Sequence, residues 1–322
     1  MNLNEVRSHL SVTFLCILCA SQLIFRGMNL LVVGHSVVDT IHYKAEIRKK
    51  PGGIFYSVLA LDSFKNKQDE IHLCTALSKT DEYLFSDLYS KSNQQFVSFL
   101  NEISQVSLTL YDEKEREEIY GSLAPNLELP VRNLNYFDGI LINMITGFDI
   151  SLDQFQQLRK GFNGFIYFDV HTFSRGISKD MKRFFRQIPD FNKWAKNIDI
   201  IQANEQELKT LFDKKDEEEI SRELLAYGIK IVIITKAESG VKAYYRNEDI
   251  VESVFVAAEK FKVQNSVGCG DVFGAIFFYN YIRNKDIIKS LKTANKAAGC
   301  STTYTKIEDY KKLKNDVLQG FG

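Results

Sequence analysis

Apolar runs and polar breaks alternate along most of this chain in the rhythm of strand, helix, strand. Six runs are short, apolar and rich in β-branched residues: 30–33, 71–76, 139–143, 165–168, 198–202 and 231–234. None alternates strictly between apolar and polar positions, as expected of strands covered on both faces. Helical spacing fills the intervals. Ser151-Leu152-Asp153-Gln154 matches a capping box leading into Phe155 and Leu158, and 205–212 and 217–227 have helical periodicity. Repeated alternation of this kind predicts an α/β fold, a doubly wound and mainly parallel sheet sandwiched by helices.

The last helical run carries Val272, Phe273, Ala275, Ile276, Phe277 and Tyr281, and Gly268-Cys269-Gly270 stands directly before it, with Asp271 in its first turn. Glycine inside a helix costs about 1 kcal/mol against alanine, so the glycines read as a built helix start. Unpaired backbone N–H groups and the positive end of the dipole meet there, which suits an anion.

Two regions break the rhythm. Residues 40–50 and 107–123 read as exposed strands or hairpins, the second around a charged tip at 112–118 that suits a solvated turn. A small sheet inserted into an α/β domain can act as a lid. The chain shows no internal repeat, no low-complexity tract and only four prolines. One domain over 28–322 is therefore expected, with lid segments near 40–50 and 107–123. Residues 10–25 are apolar but marginally short for a membrane span. Met28 already opens a strand-like run, so 1–27 is expected to be an extension, either an over-extended start or a leader.

Composition narrows the class. The 322 residues are 45% hydrophobic and 25% charged, ample for a core. Lys+Arg and Asp+Glu both number 41, so the chain has no net basic footprint for nucleic acid. The five cysteines, Cys16, Cys19, Cys74, Cys269 and Cys300, include one C-x-x-C pair in the apolar leader and no zinc spacing elsewhere. A reducing, cytoplasmic setting is the simpler expectation.

Ligands of open α/β sheets bind beyond the carboxyl ends of the strands. Gly34 and Asp39 follow the first strand, Asp169, His171 and Arg175 a later one, then Asn204 and Glu207, then Thr235 and Gly240, and finally Asp271. Oxygen ligands beside an anion-cradling helix start suit magnesium and phosphate. Each residue alone has a plainer explanation. Asn204 and Glu207 also fit a helix cap, Asp39 and Gly52-Gly53 a turn, and His171 a structural histidine.

Their order resembles the PfkB, or ribokinase-like, family of carbohydrate kinases. "NSVGCGDVF" is similar to the family's C-terminal signature DTxGAGDxF, and "NEQE" (204–207) to its NxxE magnesium motif. "GHSVVD" and "PGGIFYSVLA" resemble the N-terminal elements that contact the sugar. "TKAESG" resembles the nucleotide loop, and "TANKAAGCST" the helix on the adenine side. The similarity runs from Met28 to the C-terminus.

The resemblance implies an ATP-dependent, Mg²⁺-requiring kinase acting on a hydroxyl of a sugar or sugar acid. Asp271 would be the general base, with the backbone of Gly268, Cys269 and Gly270 as the anion hole. Glu207, with Asn204, would organise Mg²⁺. Asp39, Gly52, Gly53, Ser57, Asp169, His171 and Arg175 would lie at the substrate, and Asn204, Thr235, Gly240 and Asn295 along the nucleotide. The family's β-sheet lid would close over the sugar, and pairing of two copies through it is a further expectation. Asn265, Cys269, Ile276, Ala237, Ser57 and His171 depart from the family pattern and bear on sugar identity and nucleotide contacts. A nucleoside kinase of the same fold and a non-catalytic binding regulator are the alternatives. A dinucleotide oxidoreductase is disfavoured, because Gly34-His35-Ser36 stands where a G-x-G-x-x-G would begin.

Overall fold

The computed structural model describes residues 26–44, 46–109, 111, 117–213 and 216–319. Its strands are β1 (Asn29–Val33), β2 (Ser36–Tyr43), β3 (Glu46–Gly53), β4 (Glu70–Ser78), β5 (Asn93–Leu100), β6 (Gln105–Thr109), β7 (Glu117–Ser122) and β8 (Gly139–Asn143). They continue with β9 (Phe165–Asp169), β10 (Arg175–Ile177), β11 (Arg183–Phe185), β12 (Ile200–Asn204), β13 (Ile231–Thr235), β14 (Gly240–Asn247) and β15 (Ile250–Ala257). Nine form one sheet in the order β15-β14-β13-β12-β9-β8-β1-β4-β5. All its pairings from β13 to β5 are parallel, and β14 and β15 add antiparallel strands at one edge.

The six strands expected from apolar runs are the six inner parallel strands β1, β4, β8, β9, β12 and β13. Their buried patterns explain the missing alternation: Leu30 to Val33, Ile140 to Ile142 and Ile231 to Ile234 are all essentially inaccessible, because helices cover both faces. β5, β14 and β15 were not expected. β15 is half exposed and alternates, so it lacks the apolar run that marked the others.

The capping box at Ser151 is present, with Gln154 N–H donating to Ser151 Oγ at 3.2 Å and Ser151 N–H to Gln154 Oε1 at 2.8 Å. The helix expected over 205–212 is shorter. Only Glu205–Leu208 is helical, since one turn followed by a loop satisfies its cap bonds. The expected helix over 217–227 is present as Glu217–Ala226.

The two segments that broke the rhythm pair with each other. β2 and β3 form an antiparallel hairpin, β6 joins β2 in parallel, and β7 closes a four-stranded sheet. This sheet springs from the end of β1 across Gly34 and His35, which places it over the carboxyl ends of the main sheet's strands. The charged tip at 112–118 falls mostly outside the described residues, as do Cys16, Cys19 and the apolar stretch 10–25. Among the described residues no helix is long and apolar enough to cross a membrane.

Candidate active site

Two adjoining cavities open at the carboxyl ends of the parallel strands. The smaller, about 80 Å³, lies under the small sheet between Val37, Asp39, Gly53, Tyr56, Val106 and Leu108. The larger, about 360 Å³, runs along the ends of β9, β12 and β13 past Asp169, Gln202, Glu207, Thr235 and Gly240 to Asn295. Glu118, His171, Arg183, Gly268 and Asp271 line both. The two spaces therefore meet at the start of the helix Cys269–Asn284.

That start is built as the sequence implied, with one shift. Gly268 has φ of 79°, a left-handed conformation that disfavours a side chain. A Cβ there would also lie 2.4 Å from the Tyr56 ring. Cys269 N–H is directed to Ser266 O at 3.3 Å, so the expected cradle is not three equivalent N–H groups. Gly270 N–H has no hydrogen-bond partner among the described residues, and a Cβ on Gly270 would meet nothing within 4 Å. The open space in front of Gly270 is the natural seat for an anion. Asn265, where the family pattern has Asp, accepts Val267 N–H at 3.1 Å and shapes the turn into the helix.

Asp271 projects from the first turn of that helix. Asn143, the last residue of β8, donates Nδ2–H to Asp271 Oδ1 at 2.6 Å. Asn143 was not anticipated, although its place at the end of an inner strand was the signal that found the others. The same holds for Gln202. This polar residue within an apolar strand donates Nε2–H to Asp169 Oδ2 at 3.1 Å and to Gly270 O at 3.2 Å, and accepts Tyr167 O–H at 2.5 Å. Gln202 thus ties the turn at Gly270 to β9 and β12.

Carboxylates crowd the larger cavity. Burial, reinforced by the charges of Glu207 and Asp271, holds the Asp169 carboxyl well above the usual range. Burial pushes Glu207 up to about 7 against the pull of the Asn204 N–H bond and of Arg175, with Asp271 adding to the rise. Asn204 and Glu207 form a reciprocal capping box: Glu207 N–H donates to Asn204 Oδ1 at 2.9 Å, and Asn204 N–H to Glu207 Oε2 at 2.8 Å. The helix-cap reading of "NEQE" holds, and the same cap aims Glu207 at the cavity. Among the described residues no three His, Cys, Asp or Glu side chains converge at metal-ligating distance. Asp169, Asn204 and Glu207 offer oxygen atoms, the donor type that hard divalent cations take.

Under the small sheet, Asp39 faces its hairpin partner β3. A Cβ on Gly52 would come within 2.2 Å of Asp39 Oδ2, and one on Gly53, which has φ of 70°, within 2.1 Å of His35 O. Gly52 stands behind Asp39 and is not a lining residue. Ser57 is fully buried in the helix Phe55–Phe64, its Oγ without a partner among the described residues, and borders neither cavity. His171 takes φ of 35°, a strained value for a non-glycine residue at a site. Thr172 Oγ1 lies 2.8 Å from its Nδ1.

The root of the small sheet is fixed by a buried ion pair between His35, within "GHSVVD", and Asp149, which lies in no motif. His35 Nδ1 lies 3.0 Å from Asp149 Oδ1, and His35 Nε2 lies 2.9 Å from Pro125 O. Burial alone would lower the His35 imidazole, but the Asp149 carboxylate outweighs it and the net shift is upward. With acceptors at both ring nitrogens, His35 is an imidazolium. Asp149 also accepts the N–H groups of His35, Thr146 and Gly147.

Comparison with known proteins agrees with this architecture. Residues 175–310 match the model of the pfkB family carbohydrate kinases. The chain is thus similar to the PfkB family over its C-terminal part, and its fold is that of the ribokinases. Over 120 residues it is 32% identical to an uncharacterized sugar kinase of Archaeoglobus fulgidus, a match covering 37% of this chain and 46%, about half, of that relative's length. A ribokinase of Arabidopsis thaliana solved with ribose and ATP superposes with a TM-score of 0.69 at 15% identity, over 92% of this chain and 100% of that one. A pyrophosphate-dependent kinase in the ribokinase family, complexed with a pyrophosphate analog and myo-inositol, superposes with a TM-score of 0.68 at 20% identity, over 88% and 98%. Identities this low speak to the fold.

Proposed function

We propose that this protein is a PfkB-family kinase that moves the terminal phosphoryl group of ATP to a hydroxyl of a small sugar or polyol. One observation carries the reading: Asp271 and Gly268 border both cavities, so one helix start, with the carboxylate in its first turn, would serve two adjoining ligands. The larger cavity would take the donor, along Thr235, Gly240 and Asn295. The smaller would take the acceptor, against Asp39 and Gly53 beneath the small sheet.

Asp271 would accept the proton of the attacking hydroxyl, oriented by Asn143. The N–H of Gly270, at the positive end of its helix, would hold the phosphoryl oxygens. Asp169 and Glu207, aimed by Asn204, would hold Mg²⁺ through water, and the ion would neutralise charge on the donor phosphates. The small sheet would exclude water from the acceptor.

Charge favours an uncharged acceptor over a sugar acid. Asp39, Glu118 and Asp271 line the smaller cavity, and its arginine, Arg183, is paired with Glu118 at 2.6 Å. A carboxylate on the acceptor would meet repulsion there.

The test is product formation with protein beginning at Met28, using Mg²⁺ and either ATP or pyrophosphate as donor. The panel covers pentoses, hexoses, inositols, sugar acids and nucleosides. Phosphorylation of a neutral polyol or sugar supports the reading. Turnover confined to nucleosides would move the acceptor class, and a sugar acid as best acceptor would overturn the charge argument.

A further inference from the structure

Arg183 belongs to none of the motifs read from the sequence, yet it lies where the two cavities join. Its side chain is 7% exposed and lines both, in company with Asp271 and Gly268. Three groups hold it in place. Nη1–H donates to Glu118 Oε2 at 2.6 Å and to Thr172 Oγ1 at 3.0 Å, and Nη2–H donates to the Tyr120 hydroxyl. The guanidinium also lies 4.3 Å from the centre of the Tyr120 ring. Glu118 and Tyr120 come from β7 of the small sheet, and Thr172 from the strained turn after β9. Arg183 Nε is buried and has no hydrogen-bond partner among the described residues. A buried, unpartnered donor on a cation beside a polar cavity marks a place where an acceptor belongs.

We propose that Arg183 is a further catalytic residue, whose guanidinium binds an oxygen of the phosphoryl group as it crosses from donor to acceptor. The inference rests on the kinase reading above. In the step, the acceptor hydroxyl oxygen forms a bond to phosphorus while the bond from phosphorus to the bridging oxygen breaks, its electron pair leaving with ADP. The hydroxyl proton goes to Asp271, and Arg183 keeps its own proton throughout. A guanidinium already fixed by Glu118, Thr172 and Tyr120 needs little reorganisation to meet the developing charge. Because two of those three residues sit on β7, seating the small sheet and placing the charge are one event. Glu118 is then a positioning residue.

Three variants test this: Arg183→Gln, Glu118→Gln and the double variant, each assayed with the acceptor of the panel above that wild type phosphorylates, alongside thermal denaturation. The double variant replaces the buried ion pair with two amides, so a loss of activity in it cannot be assigned to an unpaired buried charge. The proposal predicts that Arg183→Gln and the double variant both lose kcat by about 10²–10³-fold with donor affinity retained. Glu118→Gln, which keeps the guanidinium, should stay within about tenfold of wild type. Equal losses in the two single variants with recovery in the double would show the pair to be structural and overturn the proposal. Wild-type kcat in Arg183→Gln would do the same. A wild type silent across the whole panel would instead count against the kinase reading.

Discussion

The two cavities that meet at Asp271 are made differently. The larger is built mostly from strand ends and the turns that leave them: Asp169 at the end of β9, Asn204 at the end of β12 with Glu207 just beyond, Thr235 at the end of β13 and Gly240 at the start of β14. Its geometry is local, because a capping box or a tight turn needs only three or four residues in sequence. The smaller is built from elements far apart in the chain. Asp39 on β2, Val106 on β6, Glu118 on β7, Arg183 on β11 and Tyr56 on the helix Phe55–Phe64 converge only when the small sheet is seated. A local site keeps its shape when one contact is lost. An assembled one depends on buried contacts between distant segments.

The sharpest way to break that contrast is at the root of the small sheet. Asp149→Asn removes the counter-charge of a fully buried imidazolium. It should destabilise the protein by about 3–5 kcal/mol, measured by urea denaturation. The pair titrates as a unit, and the sign of its pH dependence follows from the shifts. His35 is raised from 6.5, so its stabilisation is complete below that value and fades as pH climbs through the raised one. Asp149 is lowered from 3.8, so its share is present above that value and disappears as pH falls through the lowered one. An asparagine variant whose stability matches wild type at pH 6 would remove the pair from the account.

At the junction, Asn143→Leu deletes a hydrogen bond to Asp271 and should lower kcat about 10- to 100-fold. KM for the donor should be unchanged. If KM for the donor rises and kcat holds, Asn143 shapes the larger cavity instead of aiming Asp271.

On the donor side the effects should be smaller and confined. Glu207, pushed up to about 7, must lose its proton when it takes up a cation. Calorimetric Mg²⁺ titration without nucleotide should therefore show affinity rising with pH below about 7. In Glu207→Gln that rise should be weaker, and what remains is the share of Asp169, which is also held above the usual range. A flat wild-type profile would place the ion elsewhere.

The smallest expected effect lies in the loop after β13. Ala237 occupies a left-handed conformation, φ of 46°, where the family pattern has glycine. Ala237→Gly should leave stability within about 1 kcal/mol of wild type, because relief of the strain offsets the flexibility gained by the unfolded chain. Donor KM should move less than threefold, about 0.6 kcal/mol. A large rise would mean that the loop needs its strain.

Legibility in the sequence divides along the same line. All six inner strands were marked by apolar runs, and the start of the helix Cys269–Asn284 by its glycines, because burial and backbone conformation leave traces at fixed spacing. β15 alternates and was passed over, and the helix after Asn204 was read too long, since periodicity does not say where a loop satisfies the cap sooner. Asn143 and Gln202, each the last residue of an expected apolar run, were findable by the strand-end rule and were missed because they were counted with the strand. Arg183 and the His35–Asp149 pair had no local signal. Their partners lie 65 and 114 residues away, a relation that only the folded chain creates. Ser57 shows the converse, since a motif position marked it for the site and packing buried it away.

The most direct test of the central claim compares wild type with Asp271→Asn for ADP release from Mg²⁺-ATP, with donor affinity measured separately. The account predicts a loss of about 10²–10⁴-fold in kcat with Mg²⁺-ATP still bound. Turnover at the wild-type rate in the variant would contradict it, because the carboxylate at the helix start shared by both cavities would then have no part in the chemistry.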